Sequence, residues 1–194
     1  MSQLGLFESG SRVLIDDHRG LVRYTPDCVS ATRAGEYFDQ LRAQIDWRAQ
    51  RRMMYDREVD VPRLTAQMPL DARTPEPLRA MAMLVSAHTG TAFNSIGLNF
   101  YRDGRDSVAP HNDKLNDLVV GAPIALLSLG ATRRMQIRAK ETPRRRLEID
   151  LESGSILLMN YAVQVHYDHG IPKERTQVGP RISLAFRVRP SSAD

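Results

Sequence analysis

His111 and Asp113 lie two residues apart in Pro110-His111-Asn112-Asp113. In an extended segment, side chains at i and i+2 leave the same face about 7 Å apart, so an imidazole and a carboxylate can converge on one metal ion. One further histidine would complete a facial two-histidine, one-carboxylate set. Such a set leaves three positions open and suits a non-haem Fe(II) oxygenase. The available third ligands are His166 and His169, both in Val165-His166-Tyr167-Asp168-His169-Gly170-Ile171-Pro172. By itself His-x-Asp is more often a surface loop or a hydrogen-bonded pair than a metal site.

A second stretch adds weight. In Arg181-Ile182-Ser183-Leu184-Ala185-Phe186-Arg187-Val188-Arg189 the apolar residues alternate, placing Ile182, Leu184, Phe186 and Val188 on one face and Arg181, Ser183 and Arg187 on the other. Two arginines pointing into a small barrel are costly unless an anion meets them. A guanidinium fork pairs best with a planar carboxylate, and a dicarboxylate co-substrate beside the metal would supply one.

Taken together, Asn99-x-Tyr101, His111-x-Asp113, His169-Gly-Ile-Pro and Arg181-x-Ser183-x-x-x-Arg187 resemble the AlkB family of Fe(II)/2-oxoglutarate-dependent dioxygenases, over about Phe93 to Pro190. The resemblance implies that His111, Asp113 and His169 hold the metal. It implies that Asn99, Tyr101, Ser128, Arg181, Ser183 and Arg187 bind 2-oxoglutarate, with Arg181 on the distal carboxylate and Arg187 near the metal end. It implies Fe(II), 2-oxoglutarate and dioxygen as cofactor and co-substrates. The implied activity is oxidative demethylation of N-alkylated bases in DNA or RNA, releasing formaldehyde, succinate and CO2. The target base must be single-stranded or flipped out to reach such a site. In AlkB-like proteins the region before the barrel forms a lid over the nucleotide, and Arg51, Arg52, Met53, Tyr55, Arg63 and Lys114 are the candidate substrate contacts here. Two departures stand out. Lys114 and Leu115 occupy positions where an acid usually helps bind a cationic base, and Ser183 replaces a common asparagine.

Three other functions compete. A same-fold oxygenase could hydroxylate or demethylate a protein or small molecule, since fold alone does not choose the substrate. A non-catalytic jelly-roll would leave the metal set without purpose. A zinc hydrolase would leave Arg181 and Arg187 without a partner.

Composition bounds the rest. The 194 residues suffice for one well-cored domain. The single cysteine, Cys28, excludes a disulfide framework and fits a reducing compartment. No apolar run is long enough to span a bilayer and no secretory signal layout is present, so a cytoplasmic monomer with no membrane association is expected. Lysine and arginine number 27 against 23 acids, a net +4 that is weak evidence for nucleic acid. The cations concentrate in Arg133, Arg134, Arg138, Lys140, Arg144, Arg145 and Arg146, with Lys173 and Arg175 further on, a candidate phosphate-contacting rim.

The elements that must position these residues read as α+β, mainly β: a double-stranded β-helix (jelly-roll) core with N-terminal helices packed on its outside. Residues 1–92 form an N-terminal extension with helices and the nucleotide-recognition lid, and 93–190 the dioxygenase core of what is a single domain overall. Strands are expected at Arg12–Ile15 and Leu21–Tyr24, and a helix capped by Ser30 runs to about Trp47. Residues 48–68 lack a sustained period and read as an irregular loop. A second helix, capped by Thr74, covers Pro75–Thr89 with prolines in its first turn. Strands then follow from Asn94 on: one carrying Asn99 and Tyr101, then Pro123–Leu129 and Arg133–Arg138. Leu147–Leu151 and Ser155–Met159 make a hairpin across Glu152-Ser153-Gly154.

Overall fold

The computed structural model describes residues 10–54 and 57–190; the side chains of residues 50–60 also lie outside the described residues. Two antiparallel sheets face one another. The larger runs in the order β1 (Arg12–Asp17), β2 (Gly20–Thr25), β10 (Ile156–Met159), β7 (Ile124–Gly130), β12 (Arg181–Arg187), β5 (Ser95–Tyr101), β4 (Arg57–Pro69), β3 (Arg48–Met54). The smaller runs β6 (Val108–His111), β11 (Tyr167–Ile171), β8 (Arg133–Ala139), β9 (Arg146–Leu151). This is the expected mainly-β jelly-roll. Residues 1–92 do more than extend it, because β1–β4 supply four of the eight strands of the larger sheet.

Alternation along the central strands sorts side chains between two cores. Ile182, Leu184 and Phe186 of β12 face outward, where α1 (Ala31–Gln44) and α2 (Glu76–Thr89) cover them. Ala185 faces inward with Leu126 and Leu157, packed against Met135, Ile137 and Tyr167 of the small sheet. With both faces covered, β12 is buried along almost its whole length.

α1 begins where Ser30 Oγ accepts from the Arg33 amide. It buries Ala34, Tyr37, Phe38 and Leu41, an i, i+3, i+4, i+7 stripe. The helix stops at Gln44, three residues short of expectation, because Ile45 is extended and leads Trp47 back onto Phe100, ring centroids 5.3 Å apart. α2 buries Leu78, Met81 and Val85. Thr74 does not cap it. Pro75 holds the cap position without a side-chain bond, and the Thr74 hydroxyl instead closes the preceding turn, accepting from Asp71 N and donating to Pro69 O.

Three other expectations change. Residues 48–68 are a β-hairpin added to the sheet edge. Leu64, Ala66 and Met68 face the outer core while Thr65 and Gln67 pair inward beside Asn99 and Gly97, a two-residue period hidden by the surrounding arginines. Residues 147–159 are not a hairpin: β9 pairs with β8 and β10 with β7 and β2, so the turn carries the chain between sheets. Gly154 makes that crossing possible, with φ +81° and Val29 O only 2.2 Å from where a Cβ would lie. Finally, a short helix, α3 (Tyr161–His166), capped by Asn160, has no counterpart in the expectation.

Candidate active site

β6 ends at His111, and β11 runs antiparallel to it with His169 directly opposite. The ring centroids are 4.7 Å apart. Asp113, two residues beyond His111, folds back so that one ligand atom from each of His111, Asp113 and His169 lies within 4.8 Å of the others. His166 is not part of this cluster; it sits on α3. Gly170 permits the strand pairing, since a Cβ there would come within 2.8 Å of Val108 O and 3.0 Å of Pro110 N.

The protonation states suit a metal. His111 Nδ1 lies 3.0 Å from the Ala109 carbonyl oxygen, and an Nδ1–H donated there leaves Nε2 as the ligating nitrogen. Burial, reinforced by His111 alongside, pushes His169 down to about 3, so its imidazole is neutral. Its Nδ1 is buried with no hydrogen-bond partner. Burial raises the Asp113 carboxyl, but the Arg187 hydrogen bond and charge more than offset this and hold it below the usual carboxylate range. Arg187 reaches Asp113 through both Nε (2.5 Å) and Nη2 (3.1 Å), a bidentate fork. Gly97 leaves room for that fork, its missing Cβ being 3.0 Å from Arg187 Nη1. Arg187, expected near the metal end of the co-substrate, forks the carboxylate of the metal-side Asp113.

Behind this cluster lies Arg181, 1% exposed. One Nη2–H donates to Ser128 Oγ at 2.8 Å, while Nε and Nη1 are buried with no partner. The guanidinium lies 5.3 Å from the Tyr101 ring centroid, and no acid pairs with it among the described residues. Burial lowers its pKa to about 10, leaving it charged at neutral pH. A buried cation with two idle donors is costly unless an anion completes it. Strand register sets a polar row beside it, Thr65–Asn99–Ser183–Ser128 across β4, β5, β12 and β7. The residues therefore fit a metal at one end and a carboxylate at the other.

Some site residues were invisible in the sequence. Thr65 joins the polar row with its hydroxyl buried and unpartnered, and only the strand register reveals it. Gln164 of α3 accepts from the Asp113 amide at 3.0 Å. Lys140 donates to Asn112 Oδ1 and to the Gln164 and Val165 carbonyls, tying the His-Asn-Asp turn to α3. No local motif marks Gln164, and the sequence marks Lys140 only as one of a basic run rather than as a brace for this turn.

A cavity of about 790 Å³ opens over the cluster, with His111, Asp113, Asn99 and Arg187 on its wall. Arg63 and Lys114, both candidate substrate contacts, line it, and Arg63 Nε donates to Asn99 Oδ1 at 2.7 Å. Arg51, Arg52, Met53 and Tyr55, the other expected substrate contacts, fall outside the described residues. The basic rim is thinner than its sequence suggests. Arg133 is buried and donates to the carbonyls of Asp103, Asp106 and Pro172. Arg134 pairs with Asp150, Arg146 with Glu148 and Arg145 with Asp17. Of the cations singled out there, Arg138 and Lys173 reach the cavity wall.

Fold and site together define a class. The model of the 2OG-Fe(II) oxygenase superfamily matches residues 69–187, more than half of the chain, and the chain belongs to that superfamily, whose chemistry uses Fe(II), 2-oxoglutarate and dioxygen. The chain is 39% identical over 110 residues to DNA oxidative demethylase ALKBH2 of Bos taurus, covering 53% of this chain and 40% of that protein. It is 32% identical over 183 residues to alpha-ketoglutarate-dependent dioxygenase alkB homolog 3 of Homo sapiens, covering 84% of this chain and 64% of that one. Within the superfamily it is an AlkB-family protein. It thus spans less than two thirds of the length of these relatives. The crystal structure of SnoN, a non-heme alpha ketoglutarate dependent epimerase from nogalamycin biosynthesis, shares the fold at a TM-score of 0.62 and 14% identity, covering 90% of this chain and 81% of SnoN.

Proposed function

We propose that this protein is an Fe(II)/2-oxoglutarate-dependent dioxygenase that removes N-alkyl groups from bases in DNA or RNA. The observation that carries the co-substrate is Arg181, a fully buried guanidinium with two idle donors, bonded to Ser128 at the end of a polar row whose Asn99 shares a cavity wall with His111 and Asp113. His111, Asp113 and His169 would hold Fe(II). Arg181 and Ser128 would take the distal carboxylate of 2-oxoglutarate, with Tyr101 beneath it and Asn99 and Ser183 hydrogen-bonding along its length. Arg187 would keep Asp113 ionised and oriented. When bound, the metal and co-substrate supply dioxygen activation coupled to oxidative decarboxylation.

The overall step balances. One oxygen atom of O2 enters succinate as CO2 leaves, and the other replaces a methyl C–H with C–OH. The hydroxymethyl C–N bond then breaks, giving formaldehyde, and the hydroxyl proton stays on the ring nitrogen as N–H in a neutral base or leaves to solvent in a cationic one. The protein's part is to place the methyl carbon over the cluster and exclude water. The 790 Å³ cavity has room for a flipped-out base. The β3–β4 hairpin, which runs onto the same sheet edge and carries Arg63 to the cavity wall, supports its assignment as the lid. ALKBH2 is named as a DNA oxidative demethylase, which supports nucleic acid as the substrate.

The test is mass spectrometry of oligonucleotides carrying N-methylated bases, incubated with protein, Fe(II), 2-oxoglutarate and ascorbate beside an Asp113→Ala control. Methyl loss matched by succinate, and absent in the control, is expected. Succinate formation without methyl loss from any base would rule out the nucleic-acid substrate while keeping the oxygenase.

A further inference from the structure

The cavity wall carries the cations Arg63, Lys114, Arg138, Lys173, Arg187 and Arg189 against the carboxylates Asp113 and Asp117. Both carboxylates face arginine: Asp113 is forked by Arg187, and Asp117 lies 3.8 Å from Arg189. Lys114 is different. Among the described residues its side chain makes no hydrogen bond or ion pair, yet it follows Asp113 directly, at the start of the turn Leu115–Asp117. Its side chain is exposed on the wall of the cavity that opens over the cluster, one residue along the chain from the metal-side carboxylate.

The charge of an alkylated base depends on where the methyl sits. Methylation at N1 of adenine or N3 of cytosine leaves the ring cationic at neutral pH. Methylation at N1 of guanine or N3 of thymine replaces an N–H, leaves the ring neutral, and keeps a carbonyl oxygen beside the methylated nitrogen. A cationic ring meets like charge at Lys114 and finds no carboxylate free of arginine on the described wall. A neutral ring escapes that repulsion, and its carbonyl oxygen offers an acceptor to an ammonium that has three donors to satisfy.

We propose that Lys114 sets this site to prefer neutral N-alkylated bases of the guanine and thymine type over cationic ones. This rests on the demethylase function above and names its substrate class. The preference is electrostatic at a solvent-facing position, so it amounts to roughly five- to tenfold at low salt and shrinks as salt rises.

Two measurements on the same single-stranded oligonucleotides test it: affinity by fluorescence anisotropy without turnover, and kcat/KM by mass spectrometry. Oligonucleotides carry 1-methylguanine, 3-methylthymine, 1-methyladenine or 3-methylcytosine. The wild-type protein is expected to favour the neutral pair in both. Lys114→Glu should shift the neutral-to-cationic ratio by about tenfold or more towards the cationic pair, with Lys114→Gln in between. A wild-type preference for the cationic bases, or a ratio unmoved by both substitutions, would overturn the proposal and leave the demethylase standing. Succinate formation with no methyl lost from any of the four would overturn both.

Discussion

At the scale of single residues, the site is a contest between burial and charge. Arg181 stays protonated in the interior because deprotonating a guanidinium costs more than burying it, so its idle Nε and Nη1 await an acceptor. Arg181→Lys keeps the charge but loses the fork. The KM for 2-oxoglutarate should rise roughly ten- to a hundredfold, equivalent to one charge-assisted hydrogen bond, which steady-state succinate assays would measure. An unchanged KM would place the dicarboxylate elsewhere. Arg133 shows why residue type alone misleads. Its neighbours suggest a solvated basic run, yet it is buried and spends its donors on three backbone carbonyls. Nothing in the local sequence separates it from Arg134, which lies on the exposed face and pairs with Asp150.

At the scale of elements, strand pairing does the positioning. Gly170→Ala would drive a methyl into the β6 backbone and separate His111 from His169. It should cost about 1–3 kcal/mol of stability and weaken iron binding, read by chemical denaturation and by metal titration. Leu41→Ala, in α1 packed over the outer face of the sheet, should cost more, about 2–5 kcal/mol, while leaving the KM for 2-oxoglutarate unchanged, a contrast that separates scaffold from site. The legibility of the sequence follows the same division. The metal set and the arginine strand were readable because strict spacing carries them, although the choice of His169 over His166 came from the resemblance. The β3–β4 hairpin was not, because its alternation is broken up by arginines, of which Arg63 finds its partner, Asn99, on the neighbouring strand β5. The 147–159 turn misled because turn chemistry marks a reversal without saying which sheet each arm joins. Gln164 and Lys140 act through a helix too short for a period to announce.

At the scale of the whole molecule, ligands that bind only the folded state should raise its stability. Mn(II) with N-oxalylglycine, an unreactive 2-oxoglutarate mimic, at a hundredfold over Kd adds about 2.7 kcal/mol, or roughly 5–10 °C in Tm. Differential scanning fluorimetry should show this shift in the wild type and its loss in Asp113→Ala; equal shifts in both would mean binding away from the cluster. The division of labour between the sheets carries a consequence of its own. His111 and His169 belong to the four-stranded sheet, whereas Asn99, Tyr101, Ser128, Arg181, Ser183 and Arg187 belong to the eight-stranded one. On the proposed assignment the two ligands would sit on opposite banks of one seam, joined at Asp113 and Arg187. Drift of one bank against the other would then weaken both at once, and each ligand, by holding the seam shut, would tighten the other by the same factor. Iron loading and co-substrate docking would for this reason be two halves of a single clasp.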